Sequence, residues 1–101
     1  MSKYIDLSNN YDKNKLVEEL KKYDNEESLI ITNENNVNLF KNSITYGSTL
    51  EEISHNIFKI LRGIDKLDKK IVVIEGVKAE GLGLAIMNRL IRACSHNYIE
   101  L

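Results

Sequence analysis

The chain has 101 residues, 43% of them hydrophobic and 29% charged, with 14 Lys and Arg against 15 Asp and Glu and a formal net charge of -1. That length allows one compact domain over residues 1–101, and the near-neutral balance argues against broad electrostatic binding to a nucleic-acid backbone. No apolar stretch approaches the roughly 20 residues needed to cross a bilayer, the first residues lack the apolar core of a signal peptide, and the single Cys94 cannot form an internal disulfide, so a cytoplasmic location is expected.

Lys3-Tyr4-Ile5-Asp6-Leu7 alternates as a short strand does, and Ser8-Asn9-Asn10 closes it with turn formers. Asp12 suits a helix cap. Leu16, Val17, Leu20 and Tyr23 follow at helical spacing, which predicts a helix from residue 12 to about residue 23. After the loop Asp24-Asn25-Glu26-Glu27, Leu29-Ile30-Ile31-Thr32 reads as a second, buried strand. Residues 33–42 are rich in asparagine and poorly periodic, which leaves a short helix and an irregular turn both open. Ile44-Thr45-Tyr46 suits a third strand ending at Gly47. Ser48 with Glu51, and Thr49 with Glu52, each match a capping box. Leu50, Ile53, Ile57, Ile60, Leu61 and Ile64 then keep the helical period up to a loop around Asp65.

The stretch that follows is the most informative of the chain. Ile71-Val72-Val73-Ile74 is β-branched throughout, the composition of a strand buried on both faces. Gly76, Gly81 and Gly83 punctuate the turn after it. From Leu82 onward Leu82, Ala93, Ile86, Leu90, Gly83, Cys94, Met87, Ile91 and Leu84 fall on one broad arc of a helix, with Asn88, Arg92, Ser95 and His96 opposite and Arg89 at the seam. Tyr98-Ile99 can supply a last extended piece. Such alternation predicts an α/β domain of three layers, a mostly parallel sheet flanked by helices and joined by right-handed crossovers.

Ligands of open α/β sheets sit beyond the carboxyl ends of the strands, where Gly76 through Gly83 would lie. Yet Gly81-x-Gly83 is followed by Ile86 where a dinucleotide fingerprint needs a third glycine, and no Lys-Ser or Lys-Thr pair follows as in a phosphate loop. Positive φ and close helix-to-sheet packing account for these glycines more simply. Glu75 and Glu80 flank the loop and could share acid-base work if burial separated their pKa values. A strand terminus and a helix dipole give each of them a structural role as well. Arg89 can pair bidentately with a carboxylate or lay its stem over apolar surface, and Arg62 invites the same two readings. Cys94 reads as a small core residue. His55 and His96 have no second cysteine or acid at ligand spacing, so no metal site is expected, and Ser54-His55 has no acid partner for a hydrolase triad.

Leu61-Arg62, Asp65, Ile71-Val72-Val73-Ile74-Glu75 and then Glu80-Gly81-Leu82-Gly83-x-Ala85-Ile86-Met87-Asn88-Arg89-Leu90-x-x-Ala93 resemble the C-terminal domain of the two-domain threonylcarbamoyl-AMP synthases, proteins also labelled translation factors. The similarity is strong from about Tyr46 to Ala93 and faint before it. The resemblance implies a Rossmann-like accessory domain of a tRNA-modification enzyme that condenses threonine, bicarbonate and ATP into threonylcarbamoyl-adenylate. Catalysis in that family belongs to a separate YrdC-type domain with a Ser-x-Asn motif, for which this chain has no room, so no catalytic residue is carried over. The expected functional surface or loop is Glu75, Glu80, Gly81, Gly83, Asn88 and Arg89. No cofactor and no metal are expected for this chain, ATP belonging to the parent enzyme. The expected partner is the YrdC-type catalytic domain, in cis or in trans, with no membrane or direct nucleic-acid contact and a homodimer left open. On the residues alone, a stand-alone nucleotide- or anion-sensing module at the helix start near Gly81, or an oligomerisation module, remains an alternative.

Overall fold

Apolar strands alternating with one-sided helices build a five-stranded sheet in the computed structural model, which describes residues 4–7, 13–64, 69–78, 80–94 and 98–99. The elements are β1 (Tyr4–Leu7), α1 (Lys13–Lys21), β2 (Ser28–Thr32), a single 3-10 turn (Val37–Leu39), β3 (Ser43–Thr45), α2 (Leu50–Ile64), β4 (Ile71–Glu75), α3 (Leu82–Ala93) and β5 (Tyr98–Ile99). The strands lie in the order β3-β2-β4-β1-β5, and each recorded pairing is parallel.

β4 is central because its side chains are apolar on both faces. Val72, Val73 and Ile74 are each 0% exposed. Side chains alternate along a strand, so Val72 and Ile74 join Leu29, Ile31, Tyr46, Ile53, Ile57, Ile64, Ile86, Met87 and Leu90 in one apolar cluster beneath α2 and α3. Val73 points the other way, into a smaller cluster with Ile30, Leu16, Leu20 and Phe40 beneath α1. Full burial of one such side chain contributes about 1.5–3 kcal/mol, so the double-sided strand anchors both layers. The hand of the connections agrees with this layering. From β1 to β2 and on to β3 the chain moves toward one edge, while from β3 to β4 and on to β5 it moves toward the other. Crossovers of a single hand must then lie on opposite faces, as α1 and Phe40 do relative to α2 and α3.

Several expectations shift at the element ends. α1 stops at Lys21, two residues short, because Lys22 and Tyr23 donate to the carbonyls three residues back and tighten the chain into a turn. The Asp12 cap and the loop around Asp65 lie outside the described residues. The undecided stretch is a turn followed by the 3-10 segment. β3 begins at Ser43 and ends at Thr45, although the Tyr46 N–H still donates to the Thr32 carbonyl at 3.1 Å. Of the two capping boxes only Thr49 with Glu52 forms: Glu52 N–H donates to Thr49 Oγ1 and Thr49 N–H to Glu52 Oε1, both at 3.2 Å. The Ser48 hydroxyl donates to that same Glu52 carboxylate at 3.0 Å, not to Glu51. The Thr49 N–H, followed by the Ser48 and Thr49 hydroxyls, holds the Glu52 carboxyl below its ordinary pKa. The buried stripe of α3 is narrower than the arc drawn from sequence: Gly83, Ile86, Met87, Leu90 and Cys94 are inside, while Leu82 and Leu84 are 39% and 47% exposed and Ala93 is exposed as well. A helix resting on one sheet covers only the stripe that faces it.

Candidate functional site

In an open parallel sheet, ligands enter where neighbouring strands send their connections to opposite faces. β2 and β4 are such neighbours, one leading to the α1 side and the other to α3. Glu75, the last residue of β4, sits in that crevice and is only 4% exposed. Its Oε1 accepts a short hydrogen bond from the Thr32 hydroxyl, one from Asn36 Nδ2 at 3.0 Å and one from the Asn33 N–H at 3.4 Å. The Tyr46 hydroxyl donates to the Glu75 carbonyl at 2.8 Å. This carboxylate thus ties the end of β4 to the end of β2 and to the turn that leaves it. Asn36 is itself 6% exposed, and its Oδ1 finds no hydrogen-bond donor among the described residues. Thr32, Asn33, Asn36 and Tyr46 were not singled out from sequence. The available signal was a threonine ending an apolar strand with two asparagines one turn apart after it, but their common partner lies about forty residues further along the chain.

The glycine junction after β4 is built differently. Gly81 has φ 54° and ψ -126°, and the Gly83 N–H donates to the Glu80 carbonyl at 2.9 Å, which makes residues 80–83 a type II′ turn. Gly83 opens the helix under a different constraint: a β-carbon there would stand 2.0 Å from the Lys78 carbonyl oxygen. Gly81 therefore supplies the conformation and Gly83 the close approach. Beneath them the Val77 N–H donates to Met87 Sδ at 3.2 Å, a soft acceptor for a buried amide. Glu80 is exposed, with its carboxylate 3.2 Å from Lys78 Nζ. Among the described residues Glu75 and Glu80 share no partner, one being enclosed and the other in solvent, so the structure does not assemble them as an acid-base pair.

Asn88 and Arg89 lie on the exposed side of α3. Arg89 meets no carboxylate among the described residues. Its Cζ stands 3.9 Å from the centroid of the Phe58 ring, because α2 presents an aromatic face where a carboxylate was one of the expected partners. The six expected residues thus separate into three places: Glu75 in the crevice, Glu80, Gly81 and Gly83 in the turn, and Asn88 with Arg89 on the outer helix surface.

A second carboxylate has a comparable fastening role at the amino edge of the sheet. Asp24, just before β2, accepts the Lys41 N–H at 2.9 Å on Oδ2, and the Asn42 N–H and Nδ2 at 2.9 and 3.0 Å on Oδ1. Burial works against its ionisation, but the Lys41 N–H and the two Asn42 donors outweigh it and hold the carboxyl below its ordinary pKa. The connection from β2 to β3 is therefore pinned by a carboxylate at each end.

Comparison with known proteins matches residues 3–95 to the family model described as threonylcarbamoyl-AMP synthase, C-terminal domain. A threonylcarbamoyl-AMP synthase of Pyrococcus abyssi is 46% identical over 55 residues, which is 54% of this chain and 16% of that protein. One of Schizosaccharomyces pombe is 50% identical over 44 residues, 44% of this chain and 11% of that protein. In three dimensions the chain superposes on the crystal structure of P. abyssi Sua5 complexed with L-threonine with a TM-score of 0.75 and 29% identity, covering 99% of this chain and 30% of that one. A second P. abyssi Sua5 structure is matched with a TM-score of 0.77 and 30% identity over the same shares. The chain spans less than a third of the relatives it matches.

Proposed function

This chain belongs to the family of threonylcarbamoyl-AMP synthase C-terminal domains, and from that premise we propose that it is the accessory part of an enzyme forming L-threonylcarbamoyladenylate from threonine, bicarbonate and ATP for the threonylcarbamoyladenosine modification of tRNA. In this reading residues 1–101 act as one cytoplasmic domain. ATP and the chemistry belong to a YrdC-type catalytic domain that works with it, joined in cis as in a two-domain enzyme or docked in trans. The observation that supports an accessory role is the state of the crevice between β2 and β4, the place where an α/β unit would hold a ligand. Its carboxylate is committed to Thr32, Asn33 and Asn36 of the same chain. The surface assigned to the partner is the entry to α3, residues 80–84, where Gly81 and Gly83 shape a turn that leaves Leu82 and Leu84 exposed beside Glu80. Glu75 ends the strand that leads into that turn, and Asn88 and Arg89 stand further along the helix.

The test is pyrophosphate release from ATP in the presence of threonine and bicarbonate. The isolated chain is expected to give none. Added to a separately produced catalytic domain, it is expected to change the threonine KM or the rate, and Leu84→Asp is expected to weaken that effect while leaving the fold intact. Turnover by the chain alone, or a catalytic domain indifferent to it, overturns the reading.

A further inference from the structure

The chain has three arginines, Arg62, Arg89 and Arg92, and the fold collects all of them on one surface. Arg62 lies one helical turn from Phe58, the Phe58 ring carries Arg89, and Arg92 is one turn beyond Arg89. Lys59 and His55 continue the stripe on α2, and all five of these cationic or titratable side chains are exposed. Both helices return between parallel strands, so they run in the same direction and their basic halves lie side by side. Acidic residues on α2 are confined to its first turn, Glu51 and Glu52, and α3 has none. Among the described residues the ion pairs are Lys22–Glu19, Lys70–Glu27 and Lys78–Glu80, so Lys59, Arg62, Arg89 and Arg92 have no carboxylate partner there.

We propose that this α2–α3 face binds the phosphate backbone of RNA. The net charge of -1, from which no nucleic-acid contact was expected, is a sum over the whole chain, whereas a polyanion responds to the local field. The residue type is informative too. Arginine presents a planar fork matched to phosphate oxygens, while the eleven lysines, which act as point charges, are spread through the sequence. The Phe58 ring, with its centroid 3.9 Å from Arg89 Cζ, gives that guanidinium a cation–π contact between the two helices. Of the exposed large apolar side chains, Leu39 and Ile44 lie outside both helices and Leu82 and Leu84 are confined to the first turn of α3, so around Arg62, Arg89 and Arg92 the face carries charge without the apolar anchors of a protein-core interface or a bilayer. The choice of RNA rests on the tRNA-modification reading above.

Fluorescence anisotropy of a labelled RNA stem-loop, titrated with the full chain, tests this. Binding at about 50 mM salt is expected to weaken with rising salt, at a slope of about 0.7–0.9 in log affinity per phosphate neutralised. Arg62→Gln and Arg92→Gln, both at exposed positions, are each expected to lower affinity about fivefold and the salt slope by about one. Lys13→Gln and Lys21→Gln on α1 are expected to change neither, and far-UV circular dichroism verifies that every variant is folded. Arg89→Lys, which keeps the charge but loses the stacked fork, is expected to bind more weakly than the parent chain. No binding by the folded chain, binding indifferent to the arginine variants, or equally tight binding of polyglutamate overturns the proposal. The same variants in the pyrophosphate assay separate the two readings. An RNA failure with the catalytic domain still responding removes this inference alone, and the reverse result removes the accessory role alone.

Discussion

Two connections leave the carboxyl edge of the sheet side by side, and they are fastened in opposite ways. The passage from β2 to β3 is held by polar bonds, with Glu75 gathering Thr32, Asn33 and Asn36 at one end and Asp24 gathering Lys41 and Asn42 at the other. The passage from β4 to α3 is held by shape, with a type II′ turn at Gly81 and a carbonyl seated where the side chain of residue 83 would be. A polar clamp tolerates changes of volume but not the loss of its acceptor. A steric one tolerates changes of polarity but not one added carbon. The largest expected effect follows from the second kind. Gly83→Ala places a methyl group 2.0 Å from the Lys78 oxygen, which is backbone and has little freedom to yield. We expect a loss of about 3 kcal/mol or more, at the upper end of what overpacking costs, read as a fall in the urea midpoint with an unchanged m-value. A variant as stable as the parent would mean that the α3 entry is not closed as described.

The polar clamp is best broken at Glu75. Glu75→Ala removes the acceptor of two buried side-chain donors, the Thr32 hydroxyl and the Asn36 amide, and each donor left unpaired costs about 1–3 kcal/mol. We expect a total near 2–3 kcal/mol, the sites being coupled and so less than additive. Glu75→Gln keeps an acceptor and should lose clearly less. Equal losses for the two variants would show that the crevice senses the charge and not the hydrogen bonds.

The contrast also explains what could be read in the sequence. The β4–α3 junction was legible because its determinants are local: four β-branched residues, glycines within a few positions and a change of period, all inside one stretch of chain. The parallel sense of the strands followed from the same alternation, whereas their order in the sheet did not. The β2–β3 passage was not legible, since Asn33 and Asn36 are fixed by a residue about forty positions away, and asparagine without its partner is only a turn former. Arg89 was left between two readings for a related reason. Its place at the helix seam was visible, but whether it met a carboxylate or the Phe58 ring depended on which face α2 turned toward α3.

Gly81 gives a smaller effect than Gly83 because a β-carbon there has open space around it and meets only the torsional penalty of φ 54°. Gly81→Ala should therefore lose about 1–2 kcal/mol. Gly81→Asn should lose less, since asparagine tolerates positive φ better than other side chains. If Gly81 and Gly83 proved equally sensitive to alanine, the division of labour between conformation and close approach would be wrong.

Asp24 should give the smallest effect at neutral pH and the clearest dependence on it. Its three hydrogen bonds come partly from exposed backbone, so Asp24→Ala is expected to lose about 1–1.5 kcal/mol at pH 7. The folded carboxyl has a pKa below its ordinary value, so the folded chain takes up a proton less readily than the unfolded one. Lowering the pH therefore favours unfolding. The contribution is complete above the unfolded pKa of about 3.9 and disappears as the pH falls through the lower folded value. The stability gap between parent and Asp24→Ala, measured by urea unfolding from about pH 6 down to about pH 3, should thus narrow on acidification. A gap that stays constant or widens would mean that the amino-edge clamp does not depend on a charged carboxylate, and that the two ends of the β2–β3 passage are held by different chemistry.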